Sequence, residues 1–380
     1  MILKIFIFWR ISLFVLTYLG SVIFPKVANG GIGAIGQGKT FDFLSSWAQW
    51  DGGHFINIAR LGYFNPQEYA FFPLLPNLIR FVTIFTFGNL VLAGLIISNV
   101  SFLAFLIIFH KLVNKKFGSQ IANISVFTFL TFPSAFFGVA VYSESIFLLL
   151  AVLALYFLES KRFLYAALCA SLAGATRVVG VFLIIPFTIS LLSLRGALRL
   201  RSGRQSNLEQ IASLTTFARN DIVKALLIPL SVSGLFLYSL YLYLKFGDPF
   251  YFSTVESVWH RSFVNPFSTI YSYLTINVFA KPFNDYLDIA ATLGFLVILA
   301  LGFRKIPKSW WFYSLLVILV PASTGTLTSM PRYVLSAFPV FILLGIYLKD
   351  RQILRMITWG IFLVLQVALA IMFVNGFWTA

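Results

Sequence analysis

The chain has 380 residues, of which 59% are hydrophobic and only 11% are charged. Its mean hydropathy of +0.91 is more than a water-soluble fold can bury, so the composition excludes a soluble protein and predicts a membrane protein with many spans. The net charge of +16 would fit a nucleic-acid-binding protein, but in a membrane protein it can also arise from basic cytoplasmic loops.

The apolar segments are long enough for helices that cross a bilayer. They predict an all-α, polytopic bundle of about eleven transmembrane helices. Residues 70–88 are apolar too, but Pro73, Pro76 and Arg80 interrupt them. We therefore predict an interfacial or re-entrant helix there rather than a span. The eleven predicted spans are 5–24, 89–112, 119–137, 144–159, 163–177, 178–194, 225–245, 285–302, 309–326, 332–348 and 356–375.

The distribution of charge sets the orientation of these spans. With the N-terminus in the cytoplasm, 19 of the 28 basic residues and only four of the 12 acidic residues lie on the cytoplasmic side. Loop asymmetry thus explains the net charge, and no nucleic-acid partner is expected. Within a single domain, 1–380, this topology gives a first outer loop at 25–88 with interfacial helices and a large outer loop at 246–284. It also gives a basic cytoplasmic loop at 195–224, whose expected neighbours are anionic membrane lipids.

The first outer loop holds an unusual group of polar residues. A helix over 43–61 lying on the membrane would place Asp51, His54 and Phe55 on one face. Asp51 is the candidate general base; the alternative is that it caps the helix. His54 either binds a substrate phosphate, orients Asp51, or is merely packed. Glu68 is either a second carboxylate of the site or an ordinary loop charge.

Further polar residues lie at the outer ends of later spans or in the large outer loop. An arginine at the edge of an apolar segment is costly, and a lipid-linked phosphate would explain it because guanidinium binds phosphate oxygens bidentately. The alternatives are contact with ordinary lipid headgroups or an ion pair with Glu144. The shared side predicts an extracytoplasmic site near headgroup level. The additional candidates are Tyr142, Glu144, Arg177, His260, Arg261, Arg332 and Tyr333.

Several short motifs resemble, in the same order, those of the GPI mannosyltransferase 2 (PIG-V) family and its prokaryotic relatives. The resemblance runs from about 45 to 340, and the first block is the most specific. The motifs are Trp50-Asp51-x-x-His54-Phe55, Gly62-Tyr63, Ala70-Phe71-Phe72-Pro73-Leu74-x-Pro76, Tyr142-Ser143-Glu144-Ser145, Thr176-Arg177-x-x-Gly180 and Pro331-Arg332-Tyr333.

This resemblance implies a GT-C glycosyltransferase that takes a hexose, expected to be mannose, from a polyprenyl- or dolichyl-phosphate carrier. Asp51 would be the base, and the acceptor would be a glycan, a glycolipid or a protein. Because the lipid phosphate already activates the sugar, we expect neither a metal nor another cofactor. The protein would lie in the cell membrane of a prokaryote or the endoplasmic reticulum membrane of a eukaryote.

Two other classes of function remain open from the sequence. A glycolipid transporter or flippase would carry ionisable residues along a path through the membrane, whereas these residues gather at one face. A non-catalytic subunit of a glycosylation complex would have no need of the Asp51 carboxylate.

Overall fold

The computed structural model describes residues 1–27, 42–191, 207–276 and 280–379, with the side chains of 207–225 left out. All the regular structure in these ranges is helical, in agreement with the all-α prediction. Residues 195–206 of the predicted loop 195–224 fall outside the described residues, whereas its remaining residues are helical and belong to α9, so the loop prediction was wrong for that part. The α-helices are α1 (Ile2–Ile23), α2 (Asp51–Leu61), α3 (Leu74–Val82), α4 (Leu90–Phe117), α5 (Ser119–Thr131), α6 (Glu144–Glu159), α7 (Phe163–Gly174), α8 (Val178–Leu191, beginning as a 3₁₀ helix), α9 (Asn207–Phe246), α10 (Tyr251–Thr254), α11 (Pro266–Thr275), α12 (Phe283–Gly302), α13 (Lys308–Ala322), α14 (Met330–Tyr333), α15 (Pro339–Leu348) and α16 (Gln352–Val374).

Five helices in the described part of the chain are long and apolar enough to cross a membrane. They are α1, α4, the Leu226–Phe246 part of α9, α12 and α16. A sixth span arises if Met330–Ala337 and Pro339–Leu348, which meet at an angle of 83°, count as one. The protein is thus a multi-pass membrane protein, but helix length does not establish the predicted eleven spans, because the other predicted segments form shorter helices.

The shorter helices end at irregular segments that meet in the interior. Such backbone is tolerated in a membrane protein only where it is buried in protein or lines a cavity. The longest of these segments, 132–143, is buried throughout and includes the 3₁₀ helix Ala135–Gly138. Two others precede α8 and α14. These interruptions place polar residues at the inner ends of apolar helices.

The first outer loop differs from the predicted helix over 43–61. A 3₁₀ helix at Ser45–Ala48 comes first, and α2 begins only at Asp51. The two are separated at Trp50, whose φ of 56° and ψ of −121° lie outside the helical region. The backbone of this break is held by the 132–143 segment, since Val141 N donates to Trp47 O at 2.9 Å. Asp51 and His54 therefore lie in the first turn of a separate helix.

Aromatic side chains form much of the interior of the bundle. Phe102, Phe105 and Phe109 lie on one face of α4 and are completely buried against Phe129 and Phe338. Lipid tails are as apolar as these rings, so close packing rather than a hydrophobic effect must hold such helices together. This packing gives the irregular segments a rigid support.

Candidate functional site

A cavity of about 580 Å³ lies between α2, the irregular segments and the 246–284 loop. Eight of the ten predicted site residues line it, although they come from five separate regions of the chain. The eight are Asp51, His54, Glu144, Arg177, His260, Arg261, Arg332 and Tyr333.

Two acids and two arginines form a continuous chain of ion pairs along one wall. Asp51 Oδ2 lies 2.6 Å from Arg332 Nη1, and Arg332 Nε lies 3.3 Å from Glu144 Oε1. Arg177 donates to the same Glu144 oxygen through Nη1. The sequence left a choice between phosphate and an ion pair with Glu144 for these arginines, and in the structure both lie against Glu144. Charges this buried require such partners, because a desolvated carboxylate or guanidinium alone is costly.

The Asp51 carboxylate is the end of this chain that reaches the cavity. Its side chain is 24% exposed, whereas those of Arg332 and Glu144 are 6% and 2% exposed. None of the described residues donates a hydrogen bond to its second oxygen, Oδ1. Asp51 therefore combines a fixed orientation with a carboxylate oxygen that is open to a ligand.

Tyr333 is surrounded by three guanidinium groups. The ring centroid lies 5.3 Å from the guanidinium carbon of Arg332, 5.4 Å from that of Arg177 and 5.5 Å from that of Arg261. Arg261 donates to the Thr324 hydroxyl at 3.2 Å and to the Thr328 carbonyl at 3.1 Å. Within the described ranges it has no ion-pair partner, so it is the guanidinium of the cavity whose charge no carboxylate neutralises by contact.

The two histidines occupy different surroundings. His54 is buried, stacked on Phe71 with ring centroids 4.6 Å apart and edge-on to Trp259 at 6.2 Å. Burial lowers the pKa of His54, although Asp51 and Glu68 oppose that shift. The imidazole is thus neutral at pH 7 and offers one donor and one acceptor nitrogen. His260 is exposed at the cavity rim in a left-handed conformation, with φ of 57°.

The remaining two candidates, Glu68 and Tyr142, lie outside the cavity. Glu68 Oε2 accepts from the backbone N–H groups of Phe64 and Asn65 at 2.8 and 3.0 Å. It thus stabilises the turn before the 3₁₀ helix that follows, which corresponds to the loop-charge alternative. The Tyr142 hydroxyl donates to the Gln49 carbonyl at 3.0 Å. Burial raises the pKa of Tyr142 well above its usual value, so its role in the structure is that of a neutral support for the break before α2.

Several cavity residues were not predicted as site residues. Glu256 adds a third carboxylate, and burial raises the pKa of its side chain, with Arg261 opposing the shift. Its position next to the Trp-His-Arg run of the outer loop was an available signal. Trp50 and Trp378 line the same cavity and meet edge-to-face at 4.9 Å, a contact that no local pattern encodes.

Unusual backbone conformation is concentrated at the cavity. Five non-glycine residues in the described ranges have positive φ, and three of them, Trp50, His260 and Ser329, line the cavity. Such conformations cost about 1–3 kcal/mol each and persist where the surroundings enforce them, often at functional sites. The site is therefore held in a defined shape at the expense of local backbone energy.

Fold and site together define a multi-pass, all-helical membrane protein with a polar cavity built on a short helix between its first two long spans. The protein-family description "Mannosyltransferase (PIG-V)" matches residues 2–299. The chain therefore belongs to the PIG-V mannosyltransferase family, and the resemblance seen in the motifs is confirmed. Arg332, Tyr333 and Trp378 lie beyond the matched residues.

Individual relatives agree with this assignment. GPI mannosyltransferase 2 of Cryptococcus neoformans is 31% identical over 145 residues, which cover 35% of this chain and 34% of that protein. GPI mannosyltransferase 2 of Schizosaccharomyces pombe is 29% identical over 209 residues, which cover 54% of this chain and 42% of that protein. The matches thus span less than half the length of either relative.

A solved structure, that of ArnT from Cupriavidus metallidurans in the apo state, also aligns with the fold. The alignment covers 94% of this chain and 61% of ArnT, with 14% sequence identity and a TM-score of 0.47.

Proposed function

We propose that the protein transfers a hexose, expected to be mannose, from a polyprenyl- or dolichyl-phosphate carrier to an acceptor hydroxyl. The observation that carries this proposal is the Asp51 carboxylate, which reaches a cavity that also contains Arg261, a guanidinium with no ion-pair partner among the described residues. Membership of a mannosyltransferase family supports the sugar.

The reaction is a single displacement with inversion at the anomeric carbon. Asp51 takes the proton of the acceptor hydroxyl as its oxygen bonds to that carbon. The bond between the anomeric carbon and the phosphate oxygen breaks, and the lipid phosphate leaves with the electron pair. Arg332 holds Asp51 in position through their 2.6 Å contact.

The carrier phosphate would bind beside Arg261. Negative charge grows on this phosphate as the sugar leaves, and a pre-oriented guanidinium stabilises such charge best where water is scarce. The exposed ring of His260 lies next to it along the chain and can donate a further hydrogen bond. A cavity of about 580 Å³ is within the usual size range of small-ligand sites.

The proposed face of reaction is extracytoplasmic. This follows from the placement of basic residues in the opposite loops, as the positive-inside bias requires. A sugar on a lipid phosphate needs no nucleotide diphosphate, so the reaction has no inherent requirement for a divalent metal.

The first test is transfer of labelled mannose from polyprenyl-phosphate mannose by the purified protein. The Asp51→Asn variant should lower kcat by at least about a hundredfold, because an amide cannot accept the proton and general bases contribute about 10²–10⁴. Asp285→Asn is the matched control, since Asp285 lies at the start of α12 and outside the cavity. It should leave kcat within about twofold, as surface substitutions usually do.

Three results would overturn the proposal. If the folded Asp51→Asn variant retains most of its turnover, Asp51 is not the base. Full activity with a nucleotide sugar and no lipid carrier would eliminate the proposed donor. Movement of a glycolipid between membrane leaflets without sugar transfer would instead indicate the transporter class.

A further inference from the structure

We propose that Asp288 is a positioning residue, which holds the turn at Ser329 and thereby sets Arg332 against Asp51. The catalytic consequence rests on the proposed glycosyl transfer, whereas the structural part does not. Asp288 lies in α12, far along the chain from both members of the pair that it would control.

The first observation is a buried carboxylate with backbone partners. Asp288 is 3% exposed within an apolar helix. Its Oδ1 accepts a hydrogen bond from the Met330 N–H at 2.9 Å, and the same N–H also donates to the Leu327 carbonyl at 3.0 Å. Within the described ranges no basic side chain lies at ion-pair distance from it. A buried acid is costly without partners. The backbone at 329–330 is the partner that this carboxyl group contacts.

The second observation is the conformation of the backbone that it contacts. Ser329 has φ of 75° and ψ of 15°, in the left-handed region that residues other than glycine rarely adopt. This conformation turns the chain into α14, so it determines where α14 begins. It needs external support, and the Asp288 hydrogen bond lies directly at the turn.

The turn is also held from the opposite side. Arg261 donates to the Thr328 carbonyl at 3.1 Å, one residue before Ser329. The Arg261 guanidinium thus binds the C=O of the peptide group before Ser329, and the Asp288 carboxyl group binds the N–H of the peptide group after it.

The third observation links the turn to the reacting group. Arg332 is the third residue of the four-residue helix α14, and its Nη1 reaches Asp51 Oδ2 at 2.6 Å. A helix this short cannot absorb a change at its start, so a displaced Ser329 moves Arg332 as well. Asp288 therefore acts on Asp51 through Arg332, without touching the cavity itself.

The experiment compares Asp288→Ala, which removes the acceptor, with Asp288→Asn, which retains a carbonyl oxygen. Asp285→Ala on the same helix is the matched control. Asp288→Ala should lower kcat at least about tenfold while the KM for polyprenyl-phosphate mannose changes less than about twofold, because orientation rather than binding is lost. Asp288→Asn should recover most of kcat.

A double-mutant cycle separates positioning from general destabilisation. If Asp288 acts through Arg332, adding Asp288→Ala to Arg332→Ala should lower kcat by less than about twofold further. Hydrogen exchange supplies a readout that needs no activity. The amides of Ser329 and Met330 should exchange faster in Asp288→Ala than in the unmodified protein, and Asp285→Ala should leave them unchanged.

Unchanged exchange at these amides in Asp288→Ala would overturn the inference, and so would kcat losses that add fully in the double variant. If the unmodified protein transfers no sugar at all, the proposed function fails, while the exchange measurement still decides whether Asp288 holds the turn.

Discussion

At the scale of single residues, the charges along the cavity wall balance one another. Asp51, Glu144, Arg177 and Arg332 form two acids and two bases in direct contact. Their mutual attraction makes them poor independent ligands, since a phosphate would have to compete with a carboxylate already in place. Arg261, which bonds only neutral oxygens among the described residues, faces no such competition.

The Arg261→Gln variant should therefore affect the donor. We expect kcat/KM for polyprenyl-phosphate mannose to fall about a hundredfold, the usual effect of removing one donor from a developing oxyanion. Arg261→Lys should be intermediate, because it keeps the charge but not the planar fork. Steady-state kinetics with varied donor concentration provides the measurement.

Arg60→Gln is the matched control, because Arg60 lies in the last turn of α2, its side chain donates to Asn57 and it does not line the cavity. Equal kcat/KM for Arg261→Gln and Arg60→Gln would show that the carrier phosphate binds elsewhere.

At this scale the sequence predicts which residues belong to the candidate site better than it predicts which of them contact each other. The residue types and their common face indicated Asp51, Arg177 and Arg332, because ionisable groups in apolar segments need a reason to be there. Which arginine pairs with which acid depends on the distances between four separate regions of the chain, and a single sequence does not contain those distances. Glu68 is an exception, because Asn65 and Glu68 have the residue types and the spacing of a capping box, so its structural role could have been predicted from the sequence.

At the scale of elements, α2 lies very close to the 132–143 segment. A Cβ added at Gly52 would lie 3.1 Å from the Val141 carbonyl oxygen and 3.6 Å from the Tyr142 ring. Gly52, although unfavourable for a helix, thus permits the approach that brings Asp51 to Arg332.

Gly52→Ala should separate activity from stability. The methyl group meets backbone, so α2 must shift by a few tenths of an ångström, and we expect kcat to fall about tenfold through misplacement of Asp51. The free energy of unfolding should change little, since alanine favours the helix by about 1 kcal/mol and offsets the crowding. Turnover and thermal denaturation of the purified protein measure the two effects.

Gly360→Ala in α16 is the control, since nothing lies within 4 Å of the added Cβ. It should keep full activity. A Gly52→Ala variant that also keeps full activity would mean that the close approach has no catalytic role.

The break at Trp50 marks what element prediction misses. The periodicity of apolar residues continues through 43–61, so it predicts one helix. The chain instead adopts positive φ at a tryptophan, because the neighbouring backbone at Val141 and the Tyr142 hydroxyl bond the preceding residues. Those partners are about ninety positions away, so this is tertiary structure overriding local preference.

At the scale of the whole molecule, α4 is the helix whose two ends are expected on opposite faces of the membrane. It has 28 residues, roughly 42 Å at about 1.5 Å per residue, which exceeds the bilayer core of about 30 Å. Lys115 and Lys116 occupy its last turn, and the cavity lies toward its other end. By contrast α3 and the 3₁₀ helix Thr83–Thr86 after it have nine and four residues, too few for a straight span.

Reporter fusions should place the two ends of α4 on opposite sides. A reporter that is active only outside the cytoplasm should be active after Asn65 and inactive after Gly118, because the basic end of a span stays in the cytoplasm. A fusion after Arg162 serves as the control and should also be inactive, since the segments 119–137 and 144–159 are predicted to cross the membrane and return. An inactive fusion after Asn65 would place the cavity in the cytoplasm.

Composition and charge predicted the class of molecule well, because burying so many apolar residues has few solutions in a membrane. Each of the eleven predicted segments contains helical structure in its described part. The lengths of the helices were not predictable, because a helix can end inside the protein where polar groups bond its unpaired backbone N–H and C=O groups. Arg10 is an example of a polar group inside the protein, since it lies within the predicted span 5–24 and its Nε donates to Asn99 Oδ1 in α4 at 2.9 Å.

The ion-pair chain has a consequence for how the protein is made. A chain emerges from the ribosome with its N-terminal residues first, so Asp51 and Glu144 enter the membrane well before their shared partner Arg332. Until about nine-tenths of the 380 residues have been synthesised, Arg177 alone can balance Glu144, and Asp51 must remain hydrated at the surface. In a newly made chain the Asp51 carboxylate is therefore still hydrated. The cavity forms around the charged side chains only when the last helices of the bundle have been inserted.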